Sequence, residues 1–434
     1  MKNITIDYTA SCLVPHAELI ACQVQLEEEI DRILNARTYN YDTDYASVNL
    51  PFDQHLVEKI KSTVKEKKSL QPTMIIVIGI GGSNLGTVAL YEALYPTFQA
   101  SNIKVYFADT VDTDYISTIA HYAENELKSG HAIILNVISK SGTTTETIAN
   151  FEFFLEIVKK HRPTNYHECV VVTTDKHSAL WQLAQQEKFT HLEVPALVGG
   201  RYSVFSAVGL FPLCFLDIDI DALLSGAQSG FVMSAHKKIE NNPAALSAAL
   251  LSVLYKRGCV IHDTFIFDNA LEGLGKWYRQ LMAESIGKAY DNKGNVINTG
   301  ITPTVSIGST DLHSVAQLYL AGPYNRFTTF VSVEKNKTDL KLPHNEAFEA
   351  LVAKIQGKSF ASIMNAILEG TKKAYQNDER PFVSLHLPEK SAYVLGQFMQ
   401  IKMIEIMYLG FLMNINPFDQ PQVELYKKET RQLL

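Results

Sequence analysis

Hydroxyl side chains crowd one short stretch of the chain, residues 139–147, which reads Ser-Lys-Ser-Gly-Thr-Thr-Thr-Glu-Thr. Six of its side chains carry a hydroxyl group. Together with the free N–H groups in the first turn of a helix, such hydroxyls can hold a phosphate group without an excess of positive charge. Helix capping is the other interpretation, but a cap needs only one such residue. The density of hydroxyls therefore favours a phosphate cradle.

A glycine-rich turn lies earlier, at residues 79–86 (Gly-Ile-Gly-Gly-Ser-Asn-Leu-Gly), directly after an apolar run. Glycines let backbone N–H groups approach a ligand, and the N-terminus of a following helix favours an anion or a hydroxyl group. The turn lacks both the Gly-x-Gly-x-x-Gly spacing of dinucleotide sites and the Gly-Lys-Ser/Thr ending of P-loops. A tight strand-to-helix turn without a ligand is the alternative interpretation.

One arginine and one helical stripe are the next candidates. Arg201 precedes a segment, 202–216, that has no other charge, so its guanidinium is suited to an anion, although a structural salt bridge fits nearly as well. Gln280, Glu284 and Lys288 follow one another at steps of four, which places them on one face of a helix. A carboxylate on such a rigid element can act as a general base. In isolation, the same spacing favours an ordinary Glu–Lys pair on a solvated face.

Two late residues complete the set of candidates. His313 follows a Ser-Thr-Asp capping sequence at 309–311, which places it in the first turn of a helix, where a neutral imidazole is favoured. Lys427 follows Gln420 and Glu424 near the C-terminus. On the sequence alone, a structural role is favoured for both, because a histidine in a helix is usually structural and a C-terminal lysine complements the helix dipole.

The elements that must position these residues alternate between strands and helices. Short apolar runs rich in β-branched residues predict strands at 74–80, 103–107, 133–138 and 169–172. Helical patterns fill the gaps at 86–95, 113–127, 145–160 and 177–187. Fully apolar strands separated by helices indicate a parallel sheet that is covered on both faces. With right-handed crossovers, this is a doubly wound αβα sandwich.

A second series of the same kind follows and predicts a second α/β domain. Its strands are predicted at 260–267, 304–307, 327–333 and 382–387. Its helices are predicted at 243–256, 271–288, 311–320, 345–376 and 391–411, with a short final helix at 423–434. The predicted fold class is therefore α/β, with two doubly wound parallel-sheet domains and helical N- and C-terminal arms.

The composition excludes several classes of protein. The 434 residues carry a net charge of −7 and are 46% hydrophobic, which argues against a disordered or fibrous chain and gives no global attraction for nucleic acid or anionic membranes. Five widely spaced cysteines without a Cys-x-x-Cys pair argue against a disulfide framework or a thiolate zinc site. The N-terminus lacks the apolar run of a signal peptide, and glycines interrupt the uncharged stretch 73–91. We therefore expect a cytoplasmic protein.

Taken together, these segments resemble one family, the glucose-6-phosphate isomerases, and within it the shorter, bacterial members. The resemblance extends from about residue 70 to the end of the chain, and the family's motifs are matched in order. The matches are Gly-Ile-Gly-Gly-Ser at 79–83, Ser-Lys-Ser/Thr-x-Thr-Thr at 139–144, Gly-Gly-Arg-Tyr/Phe-Ser at 199–203, Glu-Ser-x-Gly-Lys at 284–288 and Gln-x-x-Val-Glu-Leu-x-Lys at 420–427.

The resemblance implies the reversible isomerisation of D-glucose 6-phosphate to D-fructose 6-phosphate through a cis-enediol, a step of glycolysis and gluconeogenesis. It implies that Glu284 is the base that moves a proton between C2 and C1, and that Arg201 stabilises the charge of the intermediate. It implies that His313 and Lys427 open the sugar ring. The residues that it implies for substrate binding are Ser83, Ser139, Lys140, Ser141, Thr143, Thr144, Gln280 and Gln420.

The resemblance also implies an organisation of the whole chain. It predicts two flavodoxin-like sugar-isomerase domains at 69–215 and 216–414, with arms at 1–68 and 415–434. It predicts a homodimer in which His313 reaches into the partner's active site, a small phosphosugar as substrate, and no nucleic-acid or membrane partner. No redox step occurs, so we expect no cofactor and no metal, and the sequence shows no close spacing of metal ligands.

Two alternatives stay open at this point. The enzyme could prefer another phosphosugar, such as mannose 6-phosphate. A protein of a different class, a non-catalytic regulator that binds sugar phosphates, would keep the domains and lose catalysis. Such a regulator should lack the combination of Glu284, Arg201 and Lys427, all of which are present here.

Overall fold

The structure is a computed structural model that describes residues 2–9, 11–38, 40–95 and 103–434. By its internal packing, the chain divides into two compact units. The first unit comprises Asp31–Gln228, and the second comprises Met1–Ile30 together with Ser229–Leu434. The domain borders expected from the sequence, at 68, 215 and 414, stay a prediction.

Strands and helices alternate along most of the chain. The strands in chain order are β1 (Thr5–Asp7), β2 (Pro72–Ile78), β3 (Lys104–Ala108), β4 (Ala132–Ile138), β5 (Val170–Thr174), β6 (Thr190–Glu193), β7 (Ile261–Ile266), β8 (Lys288–Tyr290), β9 (Val296–Thr299), β10 (Thr302–Ile307), β11 (Arg326–Lys335) and β12 (Phe382–Glu389). The helices are α1 (His16–Ala36), α2 (Gln54–Lys68), α3 (Leu85–Leu94), α4 (Thr113–Lys128), α5 (Thr145–His161), α6 (Ala179–Gln186), α7 (Ala207–Phe215), α8 (Ile220–Met233), α9 (Pro243–Lys256), α10 (Glu272–Ile286), α11 (Ala316–Ala321), α12 (Phe360–Asn377), α13 (Ala392–Leu412) and α14 (Val423–Leu433).

The first unit contains a parallel sheet in the order β3-β2-β4-β5-β6, with helices α3 to α6 in the crossovers. The chain moves outward in one direction from β2 to β3 and in the other direction from β4 to β6. The sheet therefore has a topological switch between β2 and β4, and open α/β sheets bind ligands at the carboxyl ends of the strands at such a point. The segments that follow these two strands contain the glycine turn at 79–86 and the hydroxyl loop at 139–147.

Apolar burial explains why this sheet forms. All seven residues of β4 are buried, and its alternate residues Ile133, Leu135 and Val137 share one core cluster with Phe154 and Val158 of α5. The strand contributes residues at a period of two, while the helix contributes residues three to four positions apart. Both periods were visible in the sequence, so the sheet and its covering helix are confirmed.

The second unit contains a sheet in the order β1-β12-β11-β7-β10. Strand β1 pairs antiparallel with β12, and the other four strands are parallel. The order of those four, β10-β7-β11-β12, corresponds to the order β3-β2-β4-β5 in the first sheet. The topological switch of the second sheet therefore lies between β7 and β11. One face of the sheet is covered by an aromatic cluster that includes Phe265, Phe330, Tyr375 and Phe382. This topology confirms the predicted second doubly wound sheet.

The helix predicted over 345–376 is wrong over its first half. Helix α12 begins at Phe360, and before it lie a 3-10 turn at Glu346–Phe348 and an isolated bridge between Lys341 and Ser359. Gly357 has a φ of +70°, which interrupts a right-handed helix, and the Ser359 hydroxyl caps α12 by accepting the N–H of Ser362.

The helix predicted over 311–320 is also wrong at its start. Thr310–His313 form a 3-10 turn, and α11 begins only at Ala316. The Asp311 carboxylate accepts the N–H of Ile307 at 2.7 Å and the Ser314 hydroxyl at 3.0 Å, a local pattern that competes with helical bonding. His313 therefore ends a 3-10 turn instead of lying in the first turn of a helix. The sequence prediction also omitted the short strands β1, β6, β8 and β9.

Helix α13 is buried along nearly its whole length but carries two charges that pair with each other. Lys402 Nζ donates to Glu405 Oε2 at 2.6 Å, and neither side chain is more than 2% exposed. The Tyr278 hydroxyl of α10 donates to the other carboxylate oxygen of Glu405. This pairing compensates two buried charges and ties α10 to α13. In the part of the chain that is described, no helix has the length and apolar character needed to cross a membrane.

His262 of β7 is a buried neutral histidine that should make stability depend on pH. Its Nε2 lies 2.9 Å from Thr329 Oγ1, and burial, reinforced by the charge of Lys402, lowers the pKa of His262 to about 3. In the unfolded chain, the pKa of the His262 imidazole returns to about 6.5. The contribution of His262 to the free energy of unfolding is therefore complete above pH 6.5. It is lost as the pH falls towards 3, by about 1.4 kcal/mol per pH unit.

We expect His262→Gln to reduce the slope of unfolding free energy against pH between 6.5 and 4.5, as measured by urea unfolding. His236→Gln is the matched control, because His236 belongs to the same unit and is exposed. A slope that is equal in His262→Gln and the unsubstituted protein would contradict the prediction.

Candidate active site

The hydroxyl loop of the first unit is folded by its own side chains. Ser139 Oγ lies 3.0 Å from Thr144 Oγ1 and accepts the N–H of Gly142 at 3.2 Å. Gly142 has a φ of +70°, and a Cβ atom there would lie 2.9 Å from the Cβ of Leu180, so this turn requires glycine. The hydroxyls of Ser139 and Thr144 thus close the loop over a tight glycine turn.

The hydroxyl groups of the loop are arranged for a ligand more than for capping. Thr144 is the N-cap residue of α5, but its side chain makes no capping hydrogen bond to the helix. Ser141 and Thr143 are exposed, with their hydroxyl oxygens 3.3 Å apart. Exposed hydroxyls at the N-terminus of a 17-residue helix form a suitable anion site.

Residues at the end of β5, the next strand of the sheet, form hydrogen bonds to the main chain of the hydroxyl loop. Thr174, the last residue of β5, donates its hydroxyl to the carbonyl oxygen of Ser139 at 2.6 Å. The N–H of Asp175 donates to the carbonyl oxygen of Lys140 at 3.3 Å. The sequence prediction had not included Thr174 and Asp175 in the site. Their signal was present, because they lie just beyond the strand predicted at 169–172, and the loops of a parallel sheet meet at the carboxyl ends of its strands.

Two cationic side chains belong to this part of the first unit. Arg201, in the 3-10 turn Gly200–Tyr202, is 2% exposed, and its Cζ lies 5.3 Å from the centroid of the Tyr202 ring. Burial lowers the pKa of Lys140; the Asp175 carboxylate opposes this shift, and the charge of Arg201 adds to it. The charge of Arg201 therefore disfavours the charged form of Lys140, and a bound anion would oppose that effect.

The glycine turn packs directly against the segment that carries Arg201. A Cβ atom on Gly82 would lie 2.3 Å from the carbonyl carbon of Gly200 and 2.6 Å from the backbone nitrogen of Arg201. The Ser203 hydroxyl donates to the carbonyl oxygen of Gly200 at 2.7 Å. Ser83 lies partly exposed in the same turn as Gly82. Two motifs that are far apart in the sequence thus meet through their main chains.

In the second unit, helix α10 holds the candidate base beside an amide. Gln280 Nε2 donates to Glu284 Oε1 at 2.9 Å, and both residues are partly exposed. The Gln280 Oε1 atom is buried and has no hydrogen-bond partner among the described residues. The predicted four-residue spacing thus places the amide where it orients the carboxylate.

Lys288 does not continue this helical stripe, so that part of the prediction is wrong. Helix α10 ends at Ile286, and Lys288 opens strand β8. The Lys288 Nζ donates to the carbonyl oxygen of Glu284 at 3.0 Å and pairs with Asp419 Oδ1 at 2.8 Å. The sequence prediction had not included Asp419, since nothing local to it indicates a partner so distant in the chain.

Glu284 and His313 lie towards opposite ends of β10, a strand at one edge of the second sheet. A Cβ atom on Gly300, two residues before β10, would lie 3.2 Å from the Cα of Gly287, so α10 ends near the start of β10. Glu284 lies three residues before Gly287, in the last turn of α10. His313 is exposed and follows the other end of β10, a six-residue strand. Such a strand spans about 20 Å.

The C-terminal candidates are solvent-facing. Gln420 is exposed in an irregular segment, and Lys427 pairs with Glu424 at 2.8 Å on α14. The structure describes every residue of α14, and it buries none of them. Within the described residues, no group of three or more His, Cys, Asp or Glu side chains could hold a metal ion.

Comparison with known proteins identifies the family of this chain. The sequence pattern of the family described as Phosphoglucose isomerase matches residues 46–434. The chain belongs to the phosphoglucose isomerase family. This membership confirms the resemblance on which the sequence prediction was based.

Individual relatives cover almost the full length of the chain. The glucose-6-phosphate isomerase of Symbiobacterium thermophilum is 32% identical over 445 aligned positions, which include 100% of this chain and 96% of the relative. Among solved structures, a hypothetical protein from Thermus thermophilus is 31% identical, with a TM-score of 0.87 over 99% of both chains. A glucose-6-phosphate isomerase from Chlamydia trachomatis has a TM-score of 0.83 at 22% identity, over 100% of this chain and 88% of the other, and supports the fold alone.

Proposed function

We propose that this protein is an aldose–ketose isomerase that interconverts D-glucose 6-phosphate and D-fructose 6-phosphate through a cis-enediol. The observation that carries the proposal is the family match over residues 46–434. The relative from Symbiobacterium thermophilum, which shares almost its full length with this chain, carries the name of the same activity.

Glu284 is assigned as the base that takes the proton from C2 and returns it to C1. The hydrogen bond from Gln280, at 2.9 Å, supports this role because it fixes the orientation of the carboxylate. One carboxylate can serve both carbons, since they are adjacent in the enediol. Arg201 is assigned to stabilise the negative charge that develops on the oxygens of the intermediate.

The hydroxyl loop is assigned to the phosphate group of the substrate. Ser139, Ser141, Thr143 and Thr144 supply hydroxyls, and Lys140 supplies a charge. The folded loop, its support by β5 and the first turn of α5 favour this role. Ser83, Gln280 and Gln420 are assigned to orient the sugar and the catalytic groups.

Ring opening is assigned to His313 and Lys427, with His313 supplied by a second copy of the chain. The separation of Glu284 and His313 towards opposite ends of β10 supports this assignment, because a six-residue strand between them spans about 20 Å. We propose a homodimer for the same reason. Large apolar side chains that are more than half exposed lie in the segment before α12, at the first residue of α12 and on α14. They give such a dimer a surface to bury: Leu340, Phe348, Leu351, Val352, Phe360, Leu425 and Tyr426.

Mixing two inactive variants tests the shared site. We expect Glu284→Gln and His313→Ala to be weak enzymes alone, and to recover activity when their subunits are exchanged by joint refolding. In a mixed dimer, one site carries both substitutions and the other carries neither, so a random mixture should reach about a quarter of the unsubstituted activity. No recovery in mixtures shown to contain mixed dimers would contradict a shared site.

The proposed activity is tested by a coupled assay in which fructose 6-phosphate is supplied and glucose 6-phosphate is detected by its dehydrogenase. Turnover supports the proposal. Tight binding of fructose 6-phosphate without turnover would favour the alternative, a non-catalytic regulator. Competition with mannose 6-phosphate in the same assay decides the substrate preference. A cytoplasmic location and the absence of nucleic-acid partners stay predictions.

A further inference from the structure

We propose that Lys288 is a positioning residue, which holds the C-terminal segment carrying Gln420 against the end of the helix that carries Glu284. The inference rests on the proposed function, because it assigns Lys288 a part in the same reaction. Lys288 does not act on the sugar itself. It acts through the main chain of Glu284 and through Asp419, which directly precedes Gln420.

The contacts of the Lys288 ammonium group define this position. Its Nζ donates to the carbonyl oxygen of Glu284 at 3.0 Å and to the carbonyl oxygen of Asp419, and it lies 2.8 Å from Asp419 Oδ1. An ammonium group has three N–H donors and no acceptor. Its donors thus join one residue of α10 to one residue of the C-terminal segment.

The burial of Lys288 gives these contacts their rigidity. Its side chain is 5% exposed, whereas that of Asp419 is 51% exposed. A buried ammonium group that lost its partners would remain largely desolvated, so its contacts are strongly favoured. The last carbonyl groups of a helix lack partners within the helix, and a cation there also complements the helix dipole. Lys288 satisfies the end of α10 and fixes the C-terminal segment with the same group.

The segment beyond this contact has little burial to hold it. Pro417 is buried, and a Cβ atom on Gly410 would lie 2.9 Å from it. From Asp419 to Gln422 every residue is exposed, and none of the residues of α14 is buried. The Lys288–Asp419 contact thus ties the chain to the end of α10 directly before Gln420. This contact therefore contributes to the placement of Gln420 relative to Glu284.

A double-substitution cycle tests the inference. We expect Lys288→Met, which keeps the aliphatic bulk and removes the donors, to lower kcat/KM by about 10- to 100-fold, since misplacement of about 1 Å costs about 10²-fold. In a Gln420→Ala background, the same substitution should cost less than about threefold, because the group that Lys288 positions is already absent. A purely structural role would cost the same factor in both backgrounds. An equal factor, or activity within about twofold of the unsubstituted protein, would overturn the inference.

Hydrogen exchange supplies a readout that does not depend on activity. Lys288→Met should speed exchange in peptides covering residues 417–422 and leave those of α12 unchanged. Lys276→Met is the matched control, because Lys276 lies on the same helix in an exposed pair with Glu272 at 2.8 Å; it should change neither readout. If the unsubstituted protein fails to isomerise fructose 6-phosphate, the proposed function fails, and exchange alone decides the inference. Unchanged exchange in Lys288→Met would then overturn it.

Discussion

Replacing Glu284 by Gln should leave the fold intact and lower turnover of fructose 6-phosphate by at least about three orders of magnitude, within the usual range for loss of a general base. The amide has nearly the shape of the carboxylate, so it still accepts the hydrogen bond that Gln280 donates at 2.9 Å. It has no basic oxygen that can take the proton from C2. The loss should therefore appear in kcat, measured by the coupled assay.

Glu272→Gln is the matched control for this experiment. Glu272 lies in the first turn of the same helix, and it pairs with Lys276 while both side chains remain 47% exposed. The loss of an exposed pair of this kind costs at most about 1 kcal/mol of stability and should not affect turnover. Near-full activity of Glu284→Gln, with normal thermal unfolding, would remove Glu284 from the role of base.

The sequence was sufficient for those features that depend on local periodicity. Residues 133–138 are continuously apolar, and the structure places a wholly buried strand at Ala132–Ile138. The hydroxyl loop that follows reaches the switch point of the sheet because strand order and loop position follow from alternating strands and helices. The contact between Gln280 and Glu284 follows from helical spacing in the same way.

Local patterns of this kind did not predict contacts between residues that are distant in the sequence. The spacing of Lys288 after Glu284 suggested a helix, but the chain leaves the helix at Gly287, and Lys288 pairs with Asp419. The helical position predicted for His313 was wrong for a related reason, because the Asp311 side chain bonds locally and the segment forms a 3-10 turn instead. In each case, a side-chain contact outweighed the local propensity.

Among substitutions that add a single methyl group to the site of the first unit, Gly82→Ala should lower activity the most. The added Cβ would lie 2.3 Å from the carbonyl carbon and 2.5 Å from the oxygen of Gly200. These are main-chain atoms, so no change of rotamer can relieve the contact, and the segment with Arg201 must move. We expect kcat/KM to fall by about 100-fold, as for a displacement of about 1 Å. Overpacking should also cost about 1–3 kcal/mol of stability.

Gly199→Ala separates this effect from a general intolerance of the motif. A Cβ atom on Gly199 would meet only the Cδ2 atom of Tyr202, at 3.5 Å, which is an ordinary contact, so activity and thermal midpoint should change little. Because Arg201 is assigned to a charge that exists only in the intermediate, its displacement in Gly82→Ala should lower kcat more than it raises KM. A lower thermal midpoint with unchanged kcat would contradict this link. The contact between the two glycine motifs would then stabilise the fold without positioning the arginine.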